Sequence, residues 1–149
     1  ITWNLGMGAL STPKVSYSNE RGTKVYASHA TTWQGKVGLM YPSDYGFATG
    51  GGSTASRTVC LGTSINSWND SSYTDCITYN WLYNSNYRQF TISPDGGAVK
   101  VFSISLSGNL DNSSYTNAYQ AVRPCVYLKS TIKIMSGSGT TSSPYILGT

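Results

Sequence analysis

Three cysteines, one histidine and six acidic residues are the side chains of this chain that could carry covalent, metal-binding or acid–base chemistry. Cys60 and Cys76 share a Gly-, Ser- and Asn-rich stretch unsuited to a long helix, whereas Cys125 sits in the apolar run Val122 to Leu128. The simplest reading is a Cys60–Cys76 disulfide with Cys125 as a buried free thiol; two unpaired buried thiols are the alternative. A bridge of that span would contribute about 3 kcal/mol by restricting the unfolded chain, and it would imply an oxidising compartment. Zinc is not expected, because the spacing is wrong and His29 is remote. No G-x-S-x-G motif accompanies His29, so a Ser-His-Asp mechanism has no support. The acidic residues are scattered without a pair suited to glycoside hydrolysis, and Asp44, in Pro-Ser-Asp-Tyr-Gly, reads as a turn former. The expectation is a protein that is not an enzyme and uses no cofactor or metal.

The chemistry that remains is recognition. From Thr91 to Leu128 an apolar frame is interleaved with Ser, Asn, Asp and Tyr. Phe102, Ile104 and Leu106 alternate with Ser103, Ser105 and Ser107, as in a strand with one buried face and one face of short polar groups in water. Twelve tyrosines and four tryptophans supply flat side chains with a polar edge, a type enriched in paratopes; the tryptophans are expected chiefly in the core. Only 11% of residues are charged, against about 25% in an ordinary domain. The net charge of +4 is spread without a Lys or Arg run, which argues against a nucleic-acid partner. No apolar run approaches the roughly 20 residues of a membrane span, so this chain is not expected to insert directly.

The elements that must position these residues read mainly as short strands. Residues 1–35 carry turn formers around β-prone pieces such as Lys24 to Tyr26. Lys36 to Tyr41 is a strand candidate stopped by Pro42. Residues 48–59 form a small-residue loop too poor in apolar groups to pack well. Tyr79 to Tyr83 reads as either a helical turn or an extended piece. Gln89 to Ser93, Val99 to Leu106, Val122 to Leu128 and Thr131 to Met135 read as strands, and the chain closes with a turn at Gly137 and a short strand after Ser143. Arg123 reads as satisfying carbonyls or an acidic partner inside the fold, with a ligand carboxylate as the alternative, and Pro124 suits a strand start or edge. A length of 149 residues fits one domain that buries roughly two thirds of its unfolded surface.

Several blocks occur together: W-x-G-K-V-G-L-M-Y-P-S-D-Y-G-F-A (Trp33 to Ala48), Cys60-Leu61, Asp75-Cys76, Trp81-Leu82-Tyr83, T-I-S-P (Thr91 to Pro94), Val101-Phe102 and V-R-P-C-V-Y-L-K-S (Val122 to Ser130). In combination they resemble the C-terminal domains of type IV-like prepilins and related surface proteins of gut Firmicutes, over about Glu20 to Leu147. The resemblance implies an α+β, C-type-lectin-like fold of mainly short antiparallel strands, few short helices and long loops. It further implies a single domain over residues 1–149, the C-terminal part of a longer surface protein or pilin, outside the bacterial cell. The variable proteins of diversity-generating retroelements use that scaffold, and a hypervariable segment ahead of a V-R-P-like strand forms their binding face. Carried onto this chain, the positions are Lys100, Ser103, Ser105, Asn109, Asp111, Asn112, Ser113, Ser114, Tyr115, Asn117, Tyr119 and Gln120. The ligand would be a protein or a carbohydrate.

Codon arithmetic tests the implication. Adenine-directed change of a template AAC or AAT codon reaches Ser, Tyr, Asp, Thr, Gly and Ala, but not Lys or Gln. Ser103, Ser105, Asn109, Asp111, Tyr115, Asn117 and Tyr119 fit, while Lys100 and Gln120 do not. Trp68-Asn69-Asp70 matches a tripeptide that supplies ligands in calcium-dependent C-type lectins. Its companion tripeptide is absent, and calcium takes six to eight oxygens, so the expectation here is a turn with Trp68 packed inward. The rival to a binding role is a pilin head whose surface packs against other subunits of a fibre.

Overall fold

The computed structural model describes residues 1–26, 29–95, 99–115 and 119–149, with backbone alone for 113–115. Strand β1 (Thr2–Asn4) pairs antiparallel with β2 (Thr32–Gln34), with Trp3 opposite Trp33. Between them lies α1 (Pro13–Glu20), where the beta-prone reading of residues 1–35 is corrected. The Thr12 hydroxyl accepts the Val15 N–H and Pro13 occupies the first turn, where its missing donor costs nothing. Lys24 to Tyr26 forms no strand.

The expected strand over Lys36 to Tyr41 shrinks to β3 (Gly38–Leu39). Pro42 does end it, but by opening a helix, α2 (Pro42–Phe47). Asp44 caps that helix, its Oδ2 accepting the Tyr41 N–H at 2.9 Å. Gly38 is required because a Cβ there would lie 2.7 Å from the Trp3 indole.

The buried Glu20 carboxylate joins α1 to α2. It accepts the Ser43 N–H at 2.8 Å and the Ser43 hydroxyl, with Arg21 Nη1 at 3.2 Å. Burial outweighs these contacts and raises its pKa to about 7.

Helices α3 (Arg57–Gly62) and α4 (Thr74–Thr78) flank two 3-10 turns, Ile65–Ser67 and Ser71–Tyr73. The Cys60–Cys76 disulfide joins α3 to α4 with 5.5 Å between Cα atoms. Residues 48–59, read as a loose loop, are instead pinned by polar contacts. Asp75 Oδ2 accepts the Thr54 N–H at 2.7 Å, Arg57 Nε donates to the Thr49 carbonyl at 3.1 Å, and Gly50 N–H donates to the Tyr79 carbonyl at 2.9 Å. Hydrogen bonds from Thr54, its backbone N–H first, and from Ser53 hold the Asp75 carboxyl below the usual range. Tyr79 to Tyr83 resolves into tight turns, with Asn80 N–H on the Ile77 carbonyl and Tyr83 N–H on that of Asn80.

A four-stranded sheet follows, ordered β6 (Leu110–Tyr115), β5 (Lys100–Ile104), β4 (Gln89–Pro94) and β7 (Ala121–Val122). Its pairs are antiparallel except β4 with β7, which is parallel with Gln89 opposite Ala121. The expected strand over Val122 to Leu128 is split at Arg123, because β8 (Pro124–Cys125) leaves this sheet to pair with β3. Val126, Tyr127 and Leu128 are exposed. Strands β9 (Lys133–Ser136) and β10 (Ile146–Gly148) form a terminal hairpin.

Phe102, Ile104 and Leu110 on the sheet pack with Met40, Tyr45, Ile65, Trp68 and the disulfide in one core. Trp68 is buried against the Tyr45 ring, 5.8 Å between centroids, as its tripeptide suggested. Asp70 caps the following 3-10 turn by accepting the Ser72 N–H at 2.9 Å. Trp3 is buried as well, but Trp33 and Trp81 are exposed, against the expectation of core tryptophans. The molecule is thus mixed α+β, with mostly short strands in small sheets and few short helices.

Candidate functional site

Register places the ends of four chain segments together. Gln89 opens β4 opposite both Ile104, the last residue of β5, and Ala121, the first of β7, while Leu110 opens β6 opposite Ile104. The segments preceding β4 and β7, and the turn following β5, therefore converge at one end of the sheet. A cleft of about 680 Å³ lies there, lined by Asn86, Tyr87, Arg88, Leu106, Tyr119 and Gln120.

Each wall is fixed by local hydrogen bonds. Ala121 N–H donates to the Arg88 carbonyl at 2.9 Å, and Arg88 Nη1 meets Asp111 Oδ2 at 2.8 Å. The Tyr83 hydroxyl donates to the Leu106 carbonyl at 2.7 Å, anchoring the turn after β5. In that turn Gly108 takes φ of +81°, a left-handed value that favours glycine. Its carbonyl accepts the Tyr45 hydroxyl at 2.7 Å, so the cleft is tied to the core. Asn84 Oδ1 accepts the Asn86 N–H at 2.8 Å and shapes the turn before β4. Tyr119 is fully exposed and Tyr87 largely so. Two aromatic faces beside one ion pair offer stacking area and oriented polar groups.

The sequence-derived positions divide over this geometry. Tyr119 and Gln120 line the cleft, and Asp111 reaches its Arg88 wall. Asn112 is exposed and Asn109 half-buried in the β5–β6 turn region. Lys100 stands at the opposite end of the sheet, paired with Tyr115, and Ser114 pairs with Val101 one position in. Ser113, Ser114 and Tyr115 belong to β6 by backbone, and Asn117 lies outside the described residues.

Ser103 and Ser105 are corrections. Both are buried: Ser103 at 0% exposure within the sheet, and Ser105 in the turn that follows β5. Ser103 faces Phe90 on β4 and Asp111 on β6, between longer side chains. The Ser105 hydroxyl donates to Asn109 Oδ1 and lies 2.9 Å from that of Ser107, within the turn. Leu106, expected inward, is exposed and lines the cleft.

Sequence reasoning missed Asn86, Tyr87 and Arg88. Their signal is the Tyr-, Asn- and Arg-rich stretch Tyr83 to Arg88, which only the parallel pairing of β4 with β7 brings beside Tyr119. Arg123 serves the fold, its Nε donating to Gln89 Oε1 at 3.1 Å and Nη2 to the Leu82 carbonyl at 3.2 Å. Cys125 is a free thiol, but half-buried rather than buried, because β8 is short and its neighbours Pro124 and Val126 are exposed. Among the described residues no group of three or more His, Cys, Asp and Glu is placed to hold a metal ion, and no helix is long and apolar enough to cross a membrane. No family model, curated protein or solved structure matches the chain.

Proposed function

We propose that this chain is a recognition domain of C-type-lectin-like fold, displayed outside a bacterial cell, whose segment 100–120 contributes a variable binding surface on a fixed scaffold. The supporting observation is the cleft at the sheet end. Tyr119, from the segment ahead of Val122-Arg123-Pro124, stands fully exposed beside Tyr87 and an Arg88–Asp111 pair, over walls hydrogen-bonded to the core. Rigid aromatics with adaptable polar neighbours are the division of labour found in antibody loops, at low entropic cost. The disulfide accords with an extracytoplasmic setting. The surface is narrower than the twelve sequence-derived positions, centred on Asp111, Asn112, Tyr119 and Gln120 and extended by Tyr87 and Arg88.

The test is to sequence this locus across many isolates and to screen protein and glycan arrays with the wild type, Tyr119→Ala and Tyr87→Ala. Substitutions concentrated at cleft positions, and array binding that falls at least tenfold in both variants at unchanged melting temperature, are expected. An even scatter of substitutions, with array binding indifferent to both variants, would overturn the reading.

A fibre-packing role is favoured by a different observation. The β9–β10 hairpin leaves Ile134, Met135, Ile146 and Leu147 exposed, an apolar surface suited to a second subunit. Sedimentation of the chain with and without residues 130–149 separates the readings. Concentration-dependent association lost on truncation supports packing, and a monomer in both forms counts against it.

A further inference from the structure

A second cleft shares no residue with the first. About 560 Å³ in volume, it lies between α2, the turn after α4, and β8. Met40, Ala48 and Leu82 form a buried floor. Phe47 and Trp81 stand over it, and Trp81 is 75% exposed. Among the described residues the Trp81 side chain makes no hydrogen bond and no ring contact, so packing within the fold does not account for its position. An indole left this far in water forfeits the burial that normally justifies it.

The cleft's polar groups are of two complementary kinds. Asp44 is exposed and uses Oδ2 to cap α2, which leaves Oδ1 as an acceptor. Arg123 has Nε and Nη2 occupied by Gln89 and Leu82, while among the described residues the rest of its five donors and its charge have no carboxylate partner. The Cys125 thiol lies among these groups, raised in pKa first by burial, then by Asp44, and lowered by Arg123. An acceptor and a fixed donor therefore border one apolar platform. A ligand carrying charge of a single sign would meet one of them unfavourably. A neutral ring with an apolar face and vicinal hydroxyls satisfies both, because each hydroxyl donates and accepts.

We infer that this second cleft binds a neutral pyranose, its ring face stacked on Trp81 and its hydroxyls shared between Asp44 and Arg123. The site is separate from the surface bounded by Tyr119, so it stands whether or not that surface binds a ligand. The test is a titration of the 15N-labelled protein with methyl pyranosides of glucose, galactose, mannose and N-acetylglucosamine, following the Trp81 indole resonance. At least one sugar should shift that resonance saturably, with a dissociation constant of about 1–10 mM, the range open to so small a ligand.

Trp81→Ala should weaken binding at least tenfold, and Trp81→Phe should recover part of it. Asp44→Asn, which keeps an acceptor for the helix cap, should weaken it severalfold, and Tyr119→Ala should leave it unchanged. Trp81 is exposed and Asn preserves the cap, so these variants keep the fold. The inference is overturned if no sugar shifts the resonance at 100-fold excess, if Trp81→Ala binds as the wild type does, or if tyrosine amide or acetyl-lysine amide occupies the cleft in preference to every sugar.

Discussion

The sheet β6-β5-β4-β7 and the hairpin β9–β10 are both built from short strands that carry apolar residues, yet they differ in what holds them. Phe102, Ile104 and Leu110 sit in the core beneath the disulfide-linked helices. On the hairpin, Ile134 is 59% and Met135 63% exposed, and the two strands pair only with each other. Strand chemistry alone therefore does not stabilise a strand; what covers it does. A lone two-stranded hairpin is marginal in water, whereas β4 and β5 have a strand on either edge and are packed by α2.

The largest expected effect on this contrast comes from the buried side. Phe102→Ala should destabilise by about 4 kcal/mol through lost burial and an unfilled cavity, while Ile134→Ala should lie within about 0.5 kcal/mol of wild type. Urea midpoints of the two variants measure both, and equal losses would erase the distinction. Next, replacing Cys60 and Cys76 together by Ala should cost about 3 kcal/mol, read as a lower midpoint in the same titration. The unmodified chain under reducing conditions should behave alike.

Glu20 gives a third, pH-dependent difference. Its pKa rises from the model-peptide value of 4.5 to about 7 in the fold, so between those values the folded state binds the proton more tightly. Its contribution is therefore full below pH 4.5, declines as pH rises towards 7, and stays lost above. The slope is at most about 1.4 kcal/mol per pH unit. Glu20→Gln should flatten the profile of melting temperature in that window, and a profile unchanged by the substitution would contradict the assignment. The smallest effect belongs to the hairpin. Amides of 133–136 and 146–148 should exchange with solvent many-fold faster than those of 100–104, and removing residues 130–149 should change the unfolding free energy from urea titration by no more than about 0.5 kcal/mol. Protection equal to that of β5 would mean that something covers the hairpin after all.

The legible parts of the sequence were those with local signals. The strands β4 and β5, the terminal hairpin with its left-handed Gly137 and Gly139, and the Cys60–Cys76 bridge follow from neighbours in sequence. Helix α1 was not legible because its buried residues are Pro13, Ser16 and Glu20, which give no apolar periodicity. Pro42 signals a strand stop in the sequence, and in the fold it also starts a helix. Ser103 and Ser105 misled because alternation identifies two faces but cannot say that both are covered. Of the candidate cleft, Tyr119 and Gln120 stood out by type. Tyr87 and Arg88 required the β4–β7 pairing, which joins segments about thirty residues apart and leaves no trace in local sequence.

That pairing has one more consequence. Gln89 lies opposite Ala121 and Phe90 opposite Val122, and Arg123 stitches Gln89 to Leu82. The stretch between therefore leaves and rejoins the scaffold at adjacent points, like a cassette in a single slot. Recombination between related genes would exchange that cassette at two neighbouring junctions, provided the replacement kept the core side chains at Phe102, Ile104 and Leu110, and a longer loop within it would add only about 0.6 kcal/mol of closure cost per doubling of length.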